Sequence, residues 1–256
     1  GKRGGGGGGG AALVGSEGFQ EQYLDLVRRL RSHPIPKRSE VFNLLSKVNE
    51  PRDLKQGKAL VREYASHMPK VRKDVGGLIL RACIRLKAHD EAIQLLKDHR
   101  THRFVPAASS VLDLMKALGK EGKLTQLLLV HRILVQSDQS SKLPWSKDFL
   151  YSIARNLAYD GQLKKAAKAF ASFREKGTTP STSLYRLVLF QCQKHAAAGA
   201  GEEVLGAAKI LEAGLSVDGI KDDISTKLLA DVREAAKAKP QAKEETAPEG
   251  GGEEGE

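Results

Sequence analysis

Residues 147–181 read KDFLYSIARNLAYDGQLKKAAKAFASFREKGTTPS, and this one stretch decides the fold. Two segments of helical period are joined by a glycine and closed by a glycine and a proline. Gly161 breaks the first segment. Ala166 places a small residue where two helices must approach, and Phe170 follows one turn later. Gly177 ends the second segment, and Pro180 sets the exit of the chain, because proline cannot continue a helix. The spacing predicts a helix over 146–159 paired with one over 162–176.

Moving outward, the same unit recurs. Ala92 and Pro106 stand as far apart as Ala166 and Pro180, with Leu96 inside the shorter-range pattern. Centring each unit on the small second-helix position gives Gly57, Ala92, Leu127, Ala166 and Glu203, at steps of 35, 35, 39 and 37 residues. The long step coincides with the polar insertion SDQSSKLPW. Helical pairs are predicted at 73–87 with 89–101, 108–119 with 123–136, and 181–196 with 202–213. Before them, Phe19, Tyr23, Leu26, Val27 and Leu30 mark an amphipathic face that ends at His33-Pro34. Ser39 is positioned to cap the next helix, and Pro51 suits the first turn of a helix running toward His67. No stretch alternates with period two between hairpin turns, which excludes leucine-rich and propeller repeats; an ankyrin-type TPLH turn is also absent.

The expected fold is therefore all-α: a right-handed solenoid of antiparallel helix pairs, each burying its apolar face against its neighbours. The expected organisation is a Gly-rich flexible segment over 1–18, a helical-repeat domain over 19–236 and a disordered acidic tail over 237–256. Low aromatic content, 5%, alongside 40% hydrophobic and 29% charged residues, agrees with helix over sheet.

Charge is unevenly placed. From Pro240 onward one Lys faces six Glu, so the net +11 of the chain leaves +16 on residues 1–239. A body so basic points to a polyanion, RNA or an acidic membrane surface, with a merely solubilising surface as the plain alternative. No apolar run of 18 residues offers a membrane span. Cys83 and Cys192 lack CxxC or His partners at ligand spacing, so they read as buried free thiols and not as a zinc site.

The N-terminal glycines lack the GK[ST] ending of a phosphate-cradling loop, and Gly76-Gly77 falls where helices pack closely. No GxSxG or HExxH pattern occurs, and the Asp222-Asp223 pair reads as helix-terminal charge. No catalytic residue, metal, cofactor or small-molecule substrate is implied. The remaining signal is basic. Arg28, Arg29, Arg31, Lys37 and Arg38 cluster around the first turn, Lys70, Arg72 and Lys73 at a repeat junction, and Arg100 and Arg103 at a helix end. These are the candidate phosphate contacts, with Arg81, Arg85 and Lys87 along one first helix.

The stretch from Lys147 to Ser181, with Tyr151, Gly161, Ala166, Phe170, Gly177 and Pro180, resembles the pentatricopeptide repeat; the other units resemble it more weakly. Members of that family that read RNA use one first-helix residue and the last residue of each repeat per base. In this chain the matching pairs are Phe42 with Arg72, Gly77 with Ala107, Leu112 with Lys142, Tyr151 with Ser181, and Val188 with Asp218. None is the polar combination that discriminates bases, which implies a grip on the RNA backbone or on protein. The run from Tyr23 to Leu118, through RACIRLK, DEAI and FVP, is similar to the branch of the family found in the animal mitochondrial small ribosomal subunit. That resemblance implies a structural ribosomal component in the mitochondrial matrix, contacting rRNA and neighbouring ribosomal proteins. A free organellar factor for RNA processing or translation, or a scaffold subunit of a respiratory complex, are the alternatives.

Overall fold

The computed structural model describes residues 16–32, 34–68, 72–98, 107–137 and 142–237. Among them are α1 (Ser16–Ser32), α2 (Arg38–Ser46), α3 (Pro51–His67), α4 (Arg72–Arg85), α5 (His89–Lys97) and α6 (Ala108–Lys120). They continue with α7 (Leu124–Ser137), α8 (Lys147–Tyr159), α9 (Leu163–Glu175), α10 (Thr182–Ala197), α11 (Gly201–Val217) and α12 (Asp223–Lys237). A 3₁₀ turn at Leu143–Trp145 precedes α8, and no strand occurs among the described residues. Residues 1–15 of the Gly-rich start and 238–256 of the acidic tail lie outside them, whereas residues 16–18 and Lys237, expected beyond the helical domain, belong to α1 and α12.

Two compact units result. The first runs through Asn156 and includes Lys176–Thr178; the second takes Leu157–Glu175 and continues from Thr179 through α12. In the first, α2/α3, α4/α5 and α6/α7 are the helix pairs. First helices pack on first helices (α2 on α4, α4 on α6), the second helix α5 packs on α7, and α1 packs on α3. The second unit repeats the rule, with α9 on α11 and α10 on α12. This neighbour-to-neighbour stacking is how a repeat buries faces it cannot bury alone.

Four of the repeat centres, Gly57, Ala92, Leu127 and Ala166, lie in the core, whereas Glu203 is half-buried and accepts the Lys164 N–H at 2.8 Å. Ala92 and Ala166 are both 0% exposed. At Gly57 a Cβ would sit 3.2 Å from Ile79 Cδ1 and 3.4 Å from both Leu45 and Val48 methyls, so the small residue permits the α3 approach to α2 and α4. Around it Leu54, Leu60, Val61 and Tyr64 are buried; each large apolar side chain so placed contributes about 1.5–3 kcal/mol. Pro51 occupies the first turn of α3, as expected.

Four of the first helices, α4, α6, α8 and α10, share one ending. Ala88 N–H donates to Cys83 O, Lys123 to Leu118 O, Gln162 to Leu157 O and Ala200 to His195 O, each at 2.9–3.1 Å. The residue before each donor has positive φ: Lys87 (54°), Gly122 (68°), Gly161 (78°) and Gly199 (92°). This is the left-handed C-terminal turn that glycine adopts without a Cβ penalty. Gly177 does the same after α9, with φ 84°.

Two expectations need correction. Lys37, not Ser39, is the N-cap residue of α2; Glu40 Oε2 accepts the Lys37 backbone N–H at 2.6 Å, and Ser39 lies inside the first turn. The pattern also marks no helix beyond 213, whereas α11 continues to Val217 and α12 follows. α12 buries Ser225, Leu229 and Val232, and it lies beyond the last helix pair that the repeat step marks. Cys83 and Cys192 are free and buried, and burial pushes both thiols up to about 12. Among the described residues, no helix is long and apolar enough to cross a membrane.

Candidate nucleic-acid interface

The basic residues clustered around the first turn divide by what they touch. Arg28 is exposed on α1. Arg29 forms a two-pronged pair with Glu40, at 2.8 and 2.9 Å, and lies 3.5 Å from Asp25. Arg29 and then the Lys37 N–H hold the Glu40 carboxyl below its usual range. Arg31 Nε stands 3.2 Å from Glu63 Oε1. These two arginines therefore tie α1 to α2 and to α3. Lys37 is exposed, and the Arg38 guanidinium carbon stands 4.8 Å from the centroid of the Phe42 ring. Arg72 and Lys73 open α4, while Lys70, Arg100 and Arg103 fall outside the described residues.

The positions matched to base reading are poorly equipped for it. Phe42 and Leu112 are half-buried and carry no donor or acceptor. Gly77 has no side chain, and a Cβ there would meet Ser110 Oγ at 3.0 Å and Ala107 Cβ at 3.5 Å. Tyr151 is 44% exposed. Val188 is fully buried. Because α10 begins at Thr182, 35 residues after the start of α8 at Lys147, the fifth frame starts earlier than the sequence suggested. Arg186 takes the surface position instead, and its Nε and Nη2 donate to Asp222 Oδ1 at 3.2 and 2.9 Å. Asp218, expected as that repeat's second reader, is enclosed. It accepts the Tyr185 hydroxyl at 2.6 Å and pairs with Arg174 at 3.3 Å, and its side chain is only 3% exposed.

A different register gathers charge in the first unit. Ser46, Arg81, Lys116 and Arg155 occur at steps of 35, 35 and 39 residues, one on each of the first helices α2, α4, α6 and α8, and all four are exposed. Those helices lie side by side. Besides α2 on α4 and α4 on α6, the end of α6 abuts α8, where a Cβ on Gly119 would meet Asn156 Nδ2 at 2.6 Å. Packed helices stand about 8–10 Å apart, so the three cations form a column with one charge per repeat. Lys120 is exposed one turn beyond Lys116. Arg85, one turn beyond Arg81, donates to Val48 O and, at 3.4 Å, to Ser46 O.

Asp113 and Asp148 are exposed acids on these helices. Glu121, at the end of α6, is 2.8 Å from Lys123 and 3.0 Å from the buried His89, which together bring its carboxyl down to about 2. Of the column, sequence reasoning singled out Arg81 alone; stepping the repeat frame along exposed positions would have found the others.

Among the described residues no group of three or more His, Cys, Asp or Glu is arranged to hold a metal ion. No protein-family model matches the chain, and no curated protein matches it. Among solved structures, the chain is similar to the crystal structure of the pentatricopeptide repeat protein PPR10 from maize, at 16% identity and a TM-score of 0.34. The match covers 87% of this chain and 36% of that one, so this chain spans little more than a third of the maize protein.

Proposed function

We propose that this protein is a non-catalytic scaffold that grips RNA by its phosphate backbone, and that its setting is the small ribosomal subunit of the mitochondrial matrix. The observation that carries the RNA reading is the Arg81–Lys116–Arg155 column beside base-reading positions filled by Phe42, Gly77 and Leu112. Cations at repeat spacing attract a chain of phosphates whatever its sequence. Apolar groups and a bare glycine cannot sort donors from acceptors on base edges. Arg28, Lys37 and Arg38, exposed at the α1–α2 end, extend the positive surface, and Lys70, Arg72, Lys73, Arg100 and Arg103 belong to the same proposed set.

The ribosomal setting rests on the Tyr23–Leu118 resemblance, and with it the partners: rRNA and neighbouring ribosomal proteins. Gradient sedimentation of native organelle extract tests it. The protein is expected to migrate with small-subunit rRNA in salt that strips loosely held factors. Recovery at the top of the gradient, while known subunits migrate, would replace the ribosomal setting with a free RNA factor.

A further inference from the structure

The cation column accounts for the first-helix side of the first unit, but the second-helix side carries a basic surface of its own. Along α3, Arg52, Lys55, Ala59, Arg62 and Ser66 are all exposed. At about 1.5 Å per residue this stripe is about 20 Å long, and no acid interrupts it. Three carboxylates of α3 and its neighbour α5 have partners of their own. Asp53 is buried at the helix start, 3.4 Å from the Asn49 N–H; Glu63 pairs with Arg31; Glu91 pairs with Lys58. Where α1 meets α3, Tyr23, Gln56 and Ala59 line a groove with Arg52 and Lys55 at its edge.

The two basic surfaces point away from each other. On α3 the buried set Leu54, Gly57, Leu60, Val61 and Tyr64 faces α2 and α4, opposite the Arg52–Ser66 stripe. On α4 the buried Val75, Ile79, Ala82 and Cys83 lie opposite Arg81. Two helix layers, with axes about 8–10 Å apart, separate the stripe from the column. One stretch of backbone cannot lie along both.

We infer that the α3 stripe is a second RNA-backbone site, so that the first unit bridges two RNA segments, one on each helix row. The inference rests on the RNA-binding reading above. RNA fits the stripe better than a lipid surface does. Interfacial helices insert several large apolar side chains, and this stripe offers only Ala59, with Leu24 of α1 the one large aliphatic exposed among the described residues of the first unit. A row of cations with Tyr23 beside it suits a phosphate chain.

The test uses the full chain with two non-complementary single-stranded RNAs, one carrying a donor dye and the other an acceptor. Analytical ultracentrifugation supplies the stoichiometry. The wild type is expected to hold two RNAs per protein and to bring the dyes together. Arg52→Glu/Lys55→Glu should still bind one RNA, lose energy transfer, and lower the slope of log K against log salt by about 1–1.5 for two lost contacts. The milder Arg52→Gln/Lys55→Gln variant, with far-ultraviolet circular dichroism, controls for folding and should show the same loss in smaller degree. A wild type that binds a single RNA overturns the inference and leaves the proposed function standing, as does a double variant that still binds two. Capture of phosphatidylserine vesicles through Arg52 and Lys55, with one RNA bound, would reassign the stripe to membrane. Absence of any RNA binding by the wild type would remove the proposed function itself.

Discussion

The two units apply one packing rule to different ends. In the first, the outward register of the first helices carries Arg81, Lys116 and Arg155. In the second, the same register, nine residues past the N-caps Ser181 and Asp222, carries Phe190 and Asp231. Phe190 is 47% exposed and lies under Lys194, whose Nζ stands 4.8 Å from the ring centroid. The second unit turns its charges inward. Arg174 of α9, Tyr185 of α10 and Asp218 at the end of α11 form a buried network, and Arg186 binds the Asp222 cap of α12. A repeat therefore constrains its core strongly and its surface weakly: at one outward register the first unit carries exposed cations, and the second carries Phe190 and Asp231.

The sharpest way to break this comparison is a single methyl group in each unit. At Gly214 a Cβ would stand 2.5 Å from the Tyr185 hydroxyl and 2.9 Å from Arg174 Nη2, inside the buried network. Gly214→Ala is expected to cost about 2–3 kcal/mol, because crowding and lost hydrogen bonds add. Gly57→Ala in the first unit meets only flexible methyl ends at 3.2–3.4 Å and should cost about 1 kcal/mol or less. Urea unfolding of both variants checks this. Equal costs would mean that the second unit owes nothing special to its polar network.

Acid should expose the neighbouring Arg186–Asp222 contact. The Ser225 hydroxyl and N–H, and then Arg186, bring the Asp222 carboxyl down to about 2 from an ordinary 3.8. A carboxyl depressed in the folded state stabilises fully above its unfolded value, and that contribution is lost as pH falls from about 4 through about 2. Asp222→Asn should unfold at lower denaturant near pH 6 and lose less midpoint than the wild type between pH 4 and 2. Parallel curves for the two proteins would show that Asp222 contributes no such linkage.

The smallest effect concerns the ends of the first helices. Among the described residues, Lys87 is the one non-glycine with a left-handed backbone, where Gly122, Gly161 and Gly199 stand in the following pairs. Lys87→Gly should raise stability by about 0.5–1 kcal/mol, the relieved Cβ strain being partly offset by the entropy of glycine in the unfolded chain. A lower unfolding midpoint would contradict it.

These contrasts also explain what was legible in advance. Gly161, Ala166 and Gly177 announce the helix pair because backbone handedness and close approach restrict residue type directly. The step of 35 residues carries that reading along the chain. Val188 and Asp218 were misread because the frame used for base reading slipped by two residues against the helix itself, turning a surface position into a core one; α10 starts at Thr182, close to the predicted 181. Lys116 and Arg155 were overlooked because neither sits in a run of cations; they become neighbours only when first helices stack. Arg29 and Arg31 stand out in sequence for the opposite reason, yet Glu40 and Glu63 engage them from 11 and 32 residues away.

The central claim is that RNA is held by backbone charge on the first-helix face and is not read. The most direct measurement is a salt titration of binding to one short RNA and to its scrambled version, for the wild type and for Arg81→Glu/Lys116→Glu/Arg155→Glu. The account predicts equal wild-type affinities for the two RNAs, falling steeply with salt. It predicts a loss on the order of 10²-fold in the triple variant, with a salt slope lower by about 2 for three lost contacts. A strong preference for one sequence, or a triple variant that binds both RNAs as the wild type does, would contradict it.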